Sequence, residues 1–284
     1  MSRLVYVDGG YVQEDEARIS VFDRGFLFAD GVYEVTAVVG GRMVDFDSHL
    51  SRLARSLSAL DIVSPLTDRE LRVVHEKLIA RNNLDEGIVY LQLTRGVADR
   101  EFAYPYGLTP TIVAFTQAKP LLDNPLAESG VKVVMVPDIR WRRRDIKSIS
   151  LLPQAMGKEF AKRHGAYEAW MVENDVVTEG TSSSAFIVDA DGVLRTQPLG
   201  HQILPGVTRR AVLRLAEEHG VSFEERPFSL DELLSAREAF LTAASAFVLP
   251  VISIDGQNIG NGTPGPITRR FRELYLKECC QENF

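Results

Sequence analysis

Cysteine is scarce in this sequence of 284 residues, which contains only Cys279 and Cys280. Because the two are adjacent, they cannot close a loop of the chain or supply ligands at the spacing of a metal site. Residues 1–8 lack the apolar core and the cleavage site of a signal peptide. We therefore expect a reducing, cytoplasmic environment.

Long apolar runs and a strong excess of one charge are also missing. The longest uncharged run, residues 239–254, contains Thr242, Ser245 and Pro250 and falls short of the roughly 18 apolar residues that a membrane span needs. The 32 basic and 39 acidic residues give a net charge of −7, which argues against a mainly electrostatic role on nucleic acid or anionic membranes. The composition is that of a globular protein with a large core.

Three common catalytic or binding patterns are absent or incomplete. The sequence has no G-x-S-x-G, which disfavours a serine hydrolase. The pattern G-x-G-x-x-G occurs at residues 260–265, but a dinucleotide site needs it inside a βαβ unit, and here it predicts a loop that enters the last helix. The five histidines show no paired ligand spacing, so we expect no zinc site: His49, His75, His164, His201 and His219.

Hydrophobic periodicity predicts a strand-rich start, a helical stretch, more strands and a second mixed half, and the length suggests two domains. The first, residues 1–117, is predicted to contain strands at 4–7, 11–12, 32–39, 42–46, 87–94 and 111–116, a helix at 48–60 and a second helix around residues 71–78. Residues 118–130, with two prolines and no clear period, are predicted to be a linker. The second domain, residues 131–284, is predicted to contain strands at 131–136, 169–172 and 185–188, helices at 151–164 and 207–219, and a last helix from Gly265 or Pro266.

One lysine stands out, because Lys147 follows the basic run Arg142, Arg143 and Arg144 and precedes an apolar segment. Apolar surroundings and neighbouring cations favour a neutral lysine amine, which is the form that Schiff-base chemistry needs. Taken alone, Lys147 is better read as a surface lysine, and the arginine run as a solvated loop. An anion-binding module that uses this run is a further alternative.

Two other segments are suited to binding an anion. Glu179 is followed by glycine and hydroxyl residues, which fits a polar site or an ordinary turn. Residues 204–210 open an amphipathic helix with Gly206, so free backbone N–H groups and the helix dipole favour a phosphate there. In the helix predicted at 48–60, Arg52 and Arg55 lie away from the leucine stripe and are either solvated or a phosphate clamp.

Five motifs in order along the chain carry a family resemblance: residues 23–34, 49–53, 145–148, 178–183 and 204–209. Together they resemble the class IV pyridoxal-phosphate aminotransferases, which include D-amino-acid transaminases, branched-chain aminotransferases, R-selective amine transaminases and aminodeoxychorismate lyase. The resemblance is greatest to the D-amino-acid transaminases. It implies fold type IV, with a small N-terminal α/β domain and a larger C-terminal mixed-sheet domain. It also implies pyridoxal 5'-phosphate in a cleft between the domains, and a homodimer whose partner chain completes each active site.

The resemblance also implies roles for particular residues. Lys147 would form the Schiff base with the cofactor, Glu179 would pair with its pyridine nitrogen, and Arg52 would hold its phosphate. The backbone amides of Val207 and Thr208, with the Thr208 hydroxyl, would complete the phosphate site. Tyr33 would lie beside the lysine and the substrate, and the cofactor's phosphate would also contact Ala244 and Ser245. Relatives often carry more hydroxyl residues in the run that corresponds to residues 241–246, so we expect weaker cofactor retention here.

Substrate choice depends on residues 94–102, which resemble the segment that carries an Arg-x-His carboxylate trap in D-amino-acid transaminases. Arg100 matches the arginine, whereas Phe102 replaces the histidine. A single arginine can hold a carboxylate bidentately, so the sequence is compatible with an amino-acid substrate. The resemblance implies ping-pong transfer from a D-amino acid such as D-alanine to 2-oxoglutarate or pyruvate. The alternatives are an R-selective amine transaminase, a branched-chain L-amino-acid aminotransferase, an aminodeoxychorismate lyase and a non-catalytic binding protein.

Overall fold

The computed structural model describes residues 3–281, and these form two compact units. The first unit extends to Leu121 and also takes the segment Ile146–Ser150, whereas the second comprises Leu122–Asp145 and continues from Leu151. None of the helices within residues 3–281 is long and apolar enough to cross a membrane.

The first unit is an antiparallel sheet covered by two helices. In chain order its elements are β1 (Leu4–Val7), β2 (Gly10–Gln13), α1 (Arg24–Phe28), β3 (Gly31–Val39), β4 (Arg42–Met43), α2 (Phe46–Ala59), α3 (Asp68–Arg81), β5 (Gly87–Thr94) and β6 (Ile112–Ala118). The strands lie in the order β2-β1-β6-β5-β3-β4. The leucines of α2 and α3 pack with β3 and β5 in one apolar core.

The second unit is built on a mixed sheet. Its elements are α4 (Pro125–Ser129), β7 (Val131–Pro137), α5 (Leu152–Arg163), β8 (Glu168–Glu173), β9 (Val176–Gly180), β10 (Ser184–Val188), β11 (Leu194–Thr196), α6 (Val207–Glu218), β12 (Phe223–Glu225), α7 (Leu230–Ser235), β13 (Glu238–Ala243), β14 (Phe247–Ile254), β15 (Gln257–Asn258) and α8 (Pro266–Gln281). The strand order is β12-β11-β10-β13-β14-β7-β8-β9, and β15 pairs with β14. Strand β7 is parallel to both of its neighbours.

The division into units differs from the predicted one at two places. The chain leaves the first unit after Leu121, inside the predicted linker, where the turn of helix α4 is capped by Asn124. The segment Ile146–Ser150 was assigned to the second domain by the sequence, but it packs in the first unit. Ile146 is buried in that unit's core, and its neighbours hydrogen-bond to β3. The lysine singled out by the sequence therefore belongs to the first unit.

Several predicted boundaries also change by a few residues. The second strand of the predicted 32–46 hairpin ends at Met43, because Asp45 adopts a left-handed backbone conformation (φ 55°) and α2 begins at Phe46. The loop that contains residues 260–265 leads into α8, as the sequence predicts.

Candidate active site

Lys147 lies beside strand β3 in the first unit. The backbone N–H of Tyr33 donates to the carbonyl of Lys147 (3.0 Å), and the N–H of Lys147 donates to Ser56 Oγ on α2 (3.2 Å). The Lys147 Nζ lies 4.1 Å from the centroid of the Tyr33 ring. The structure thus brings together Lys147 and Tyr33, two of the residues that the sequence singles out.

Arg52 is buried in the first unit, and the reading of this residue as solvated is wrong. Its Nε donates to Glu34 Oε1 (2.8 Å) and its Nη2 to Oε2 (2.7 Å), while His49 Nδ1 lies 2.8 Å from Oε2. The buried face of α2 is wider than its leucine stripe and includes position 52 at its edge, where a buried carboxylate on β3 pairs with Arg52. Arg55, one turn along, is exposed as expected.

Arg52 and His49 together stabilise the ionised form of the buried Glu34 carboxyl. Burial opposes ionisation of Glu34, but Arg52 and His49 outweigh it and hold the pKa of this carboxyl well below its usual range. Burial lowers the pKa of His49 even though Glu34 raises it. An ionised Glu34 can only accept, so the Nδ1 of a neutral His49 carries the hydrogen and donates.

The loop that carries Arg100 and Phe102 is held by a buried arginine that the sequence analysis did not consider. Arg24 donates to the carbonyls of Glu101 (2.6 Å) and Phe102 (3.3 Å), and Asp30 fixes Arg24 through Nε (2.8 Å). The guanidinium of Arg100 lies 5.5 Å from the Phe102 ring centroid. Phe102 is 73% exposed, so it offers an apolar surface beside a cation.

Glu179 is the next-to-last residue of β9 in the second unit and is buried against a cation. Arg140 Nη1 donates to Glu179 Oε1, and the backbone N–H of Leu204 donates to the same carboxylate (3.1 and 3.2 Å). Burial raises the pKa of Glu179, and Arg140 and Leu204 do not fully offset this effect. The carboxylate would therefore gain from a further positively charged donor.

Helix α6 begins close to Glu179 and has no side-chain cap among the described residues. Its N-cap, Gly206, lies so close to β10 that a Cβ there would stand 2.7 Å from Ser184 Oγ. Thr208, in the first turn, is 2% exposed, and its hydroxyl has no hydrogen-bond partner within residues 3–281. A buried hydroxyl of this kind is normally paired, so this helix start is suited to an anion.

The turn with Ala244 and Ser245 lies at the same end of the sheet as the start of α6. Ser184, which faces Gly206, pairs in register with Thr242 of β13, and the turn follows β13 directly. Val207 is buried, whereas Ala244 and Ser245 are half-buried. The second unit therefore gathers Glu179, the start of α6 and this turn near one end of β9, β10 and β13.

Glu168 is a structural residue of this region that the sequence analysis missed. It is fully buried and accepts hydrogen bonds from Thr181 Oγ1 (3.0 Å), the N–H of Ser182 (2.9 Å) and the Ser183 hydroxyl. It thereby shapes the hydroxyl-rich loop that follows Glu179. The signal in the sequence that could have identified it is a glutamate at the start of an apolar strand, Glu168–Glu173.

The basic run at residues 142–144 is only partly a solvated loop. Arg142 is exposed and Arg143 pairs with Asp145, but Arg144 is buried and its Nη1 pairs with Asp138 (3.2 Å) and Glu173 (2.8 Å). A cavity of about 310 Å³ beside the run is lined by Arg142, Arg144, Glu173, Asn174, His201 and Gln202. No group of three or more His, Cys, Asp or Glu residues in the described part of the chain could hold a metal ion.

The sequence of this chain is similar to the sequences of known aminotransferases. The profile of the family described as Amino-transferase class IV matches residues 31–254. Among curated proteins, the D-alanine aminotransferase of Bacillus licheniformis is 40% identical over 280 residues, covering 98% of each chain. The D-alanine aminotransferase of Staphylococcus aureus (strain MSSA476) is 38% identical over 276 residues, covering 96% of each chain.

Solved structures show the same fold over almost the whole chain. A branched-chain aminotransferase from Thermoproteus uzoniensis, solved with norvaline, has a TM-score of 0.86 at 28% identity and covers 100% of this chain and 96% of its own. The T.th. branched-chain amino acid aminotransferase, solved with pyridoxamine 5'-phosphate, has a TM-score of 0.88 at 25% identity and covers 98% of this chain and 94% of its own.

Proposed function

The chain belongs to the class IV aminotransferases, and from this premise we propose that it uses pyridoxal 5'-phosphate to transfer the amino group of a D-amino acid, such as D-alanine, to a 2-oxo acid such as 2-oxoglutarate or pyruvate. The observation that carries the choice of donor is the identity of 38–40% with D-alanine aminotransferases over nearly the entire chain.

The residues of the second unit fit the charged groups of this cofactor. The Thr208 hydroxyl lacks a partner among the described residues, at an uncapped helix start, and a phosphate would supply the missing acceptor while the N–H groups of Val207 and Thr208 bind its oxygens. Ala244 and Ser245 complete this phosphate site in the proposal. Glu179, whose pKa burial raises, would accept from the protonated ring nitrogen and so keep it charged.

The residues of the first unit perform the covalent and proton-transfer steps. The bound cofactor supplies an electron sink for the pair of electrons left when the substrate Cα–H bond breaks. Lys147 Nζ would hold the cofactor and would take the proton from the substrate Cα as a general base. Tyr33, whose ring lies 4.1 Å from that Nζ, limits where the amine can move. Arg52 adds a guanidinium to the phosphate.

Substrate recognition is assigned to the loop held by Arg24. Arg100 would bind the donor carboxylate bidentately, and Phe102 would line the same place with an apolar ring. An apolar ring beside the arginine also favours a second candidate, transfer from a branched-chain L-amino acid. The solved structures of similar fold are named as branched-chain aminotransferases. An R-configured arylalkylamine, which has no carboxylate to bind, would use Phe102 alone.

We further propose a homodimer in the cytoplasm. The first unit exposes several large apolar side chains just before α1, within α1 and around Arg100, and a second copy could cover them: Phe22, Phe26, Phe102, Tyr104 and Tyr106. Cys279 is buried and Cys280 is exposed, both as thiols, which suits a reducing compartment. Sedimentation velocity tests the dimer, and a monomer at micromolar concentration would contradict it.

The visible spectrum of the purified protein tests the function. We expect a yellow protein whose colour bleaches on addition of D-alanine, and does so much less with L-leucine or an R-configured arylalkylamine in separate cuvettes. Bleaching by L-leucine instead would establish the second candidate. A colourless protein that stays colourless after addition of pyridoxal phosphate would refute the proposal.

A further inference from the structure

Two neighbouring residues of β3 point to opposite faces of the sheet. Tyr33 places its ring beside Lys147 Nζ, whereas Glu34 faces α2 and is 2% exposed. No role was assigned to Glu34 by the sequence. A fully buried carboxylate is costly unless its oxygens are paired, and here each oxygen has at least one donor, from Arg52 or His49.

The contacts of Glu34 fix the orientation of one side chain in particular. Glu34 engages Arg52 through Nε and Nη2, which are on the same edge of the guanidinium, at 2.8 and 2.7 Å. Such a two-point contact sets both the position and the plane of the group. His49, one turn before Arg52 on α2, holds Glu34 Oε2 in turn.

We propose that Glu34 is a positioning residue, which holds Arg52 in the orientation that binds the phosphate of the cofactor. This inference rests on the proposed function. A long arginine side chain loses conformational freedom when it binds an anion, and a side chain that is already ordered loses less. Glu34 therefore increases the affinity for phosphate without touching it, and His49 supports Glu34.

The negative charge of Glu34 opposes phosphate binding, whereas its positioning of Arg52 favours it. The direction of the change in phosphate affinity after substitution therefore distinguishes the two effects. Glu34 is an anion beside Arg52, so its charge alone repels a phosphate. If charge dominates, the isosteric substitution Glu34→Gln strengthens phosphate binding. If positioning dominates, the same substitution weakens it, because the amide of glutamine replaces one of the two acceptor oxygens with a donor.

The experiment compares pyridoxal phosphate with pyridoxal, which lacks the phosphate. Cofactor-free full-length protein is titrated with each compound, and binding is followed by visible absorption. We expect Glu34→Gln to reduce the preference for pyridoxal phosphate over pyridoxal about tenfold, which corresponds to about 1.4 kcal/mol, with the pyridoxal Kd nearly unchanged. In an Arg52→Met background the same change should have no further effect on the preference, because Glu34 acts through Arg52.

Asp30→Asn is the matched control. Asp30 also holds an arginine by two points in the first unit, Arg95 Nε (2.8 Å) and Nη2 (3.0 Å), but it is assigned no part in phosphate binding. Its substitution should leave the preference unchanged whatever it does to stability. Glu34→Asp serves as a second variant if Glu34→Gln does not fold. It keeps the negative charge but moves the carboxylate away from Arg52, so it should also reduce the preference for pyridoxal phosphate over pyridoxal.

The possible outcomes separate this inference from the proposed function. A wild-type protein that binds neither compound defeats the proposed function. If the wild-type protein prefers pyridoxal phosphate and the folded Glu34 variants keep or increase that preference, the positioning role alone is wrong. An equal loss of affinity for both compounds also overturns it, because a purely structural residue would have that effect.

Discussion

Replacement of Thr208 by valine should have opposite effects on the stability of the cofactor-free protein and on cofactor binding. The Thr208 hydroxyl is buried without a partner within the described residues, and an unsatisfied buried polar group costs about 1–3 kcal/mol. Valine has nearly the same shape and a similar helix propensity. We therefore expect the cofactor-free protein to gain about 1 kcal/mol, or roughly 2–4 °C in Tm for a protein of this size.

Cofactor binding should change in the other direction. A hydrogen bond to a charged acceptor is worth about 1.5–3 kcal/mol, so Thr208→Val should raise the Kd for pyridoxal phosphate roughly 10- to 100-fold. Calorimetric melting of cofactor-free protein measures the first effect, and absorbance titration with pyridoxal phosphate measures the second.

Thr242→Val is the matched control for this prediction. Thr242 is also buried, and its hydroxyl also lacks a partner in the part of the chain that the structure describes, but it is assigned no contact with the cofactor. Its substitution should raise Tm by a similar amount and leave the Kd unchanged. A lower Tm for cofactor-free Thr208→Val, or an unchanged Kd, would refute the reasoning.

Three further predictions concern the first unit. Arg100→Ala should impair transfer from D-alanine far more than transfer from an arylalkylamine, and equal losses in kcat/KM would contradict its role as the carboxylate ligand. Lys147→Ala should abolish bleaching by any donor; bleaching that persists would exclude it as the base. Burial lowers the pKa of His75 to about 4, so this histidine destabilises the fold as pH falls from about 6.5 towards 4. The free energy of unfolding, measured with denaturant, should therefore fall between pH 7 and pH 5 by about 2 kcal/mol less in His75→Gln than in the wild-type protein. An equal fall in both proteins would count against burial of a neutral His75.

The sequence predicts most elements of the fold because their burial follows a simple period. Strand β5 was predicted with its observed bounds, residues 87–94, since alternate residues of an apolar run face the core. The segment Ile146–Ser150 was assigned to the wrong unit for a different reason. Its attachment to β3 depends on hydrogen bonds between backbones more than 100 residues apart, such as that between Tyr33 and Lys147, and these leave no local pattern.

The sequence proposes candidate site residues where a residue type carries the chemistry, as at Lys147 and Glu179. It does not reveal the residues that support them. Glu34, Arg140 and Glu168 are buried charged residues whose partners come from other elements, and a charged residue is usually solvated. The resemblance names the residues proposed to contact the cofactor, whereas the fold shows which neighbours hold them.

The stereochemistry of the first half of the reaction tests the central claim most directly. The holoenzyme is mixed with D-alanine or L-alanine in the absence of a 2-oxo acid, and the pyruvate released is counted against the cofactor bound. A ping-pong D-amino-acid transaminase should release about one pyruvate per bound cofactor from D-alanine and almost none from L-alanine. Release from L-alanine, or no release from either enantiomer, would contradict the account.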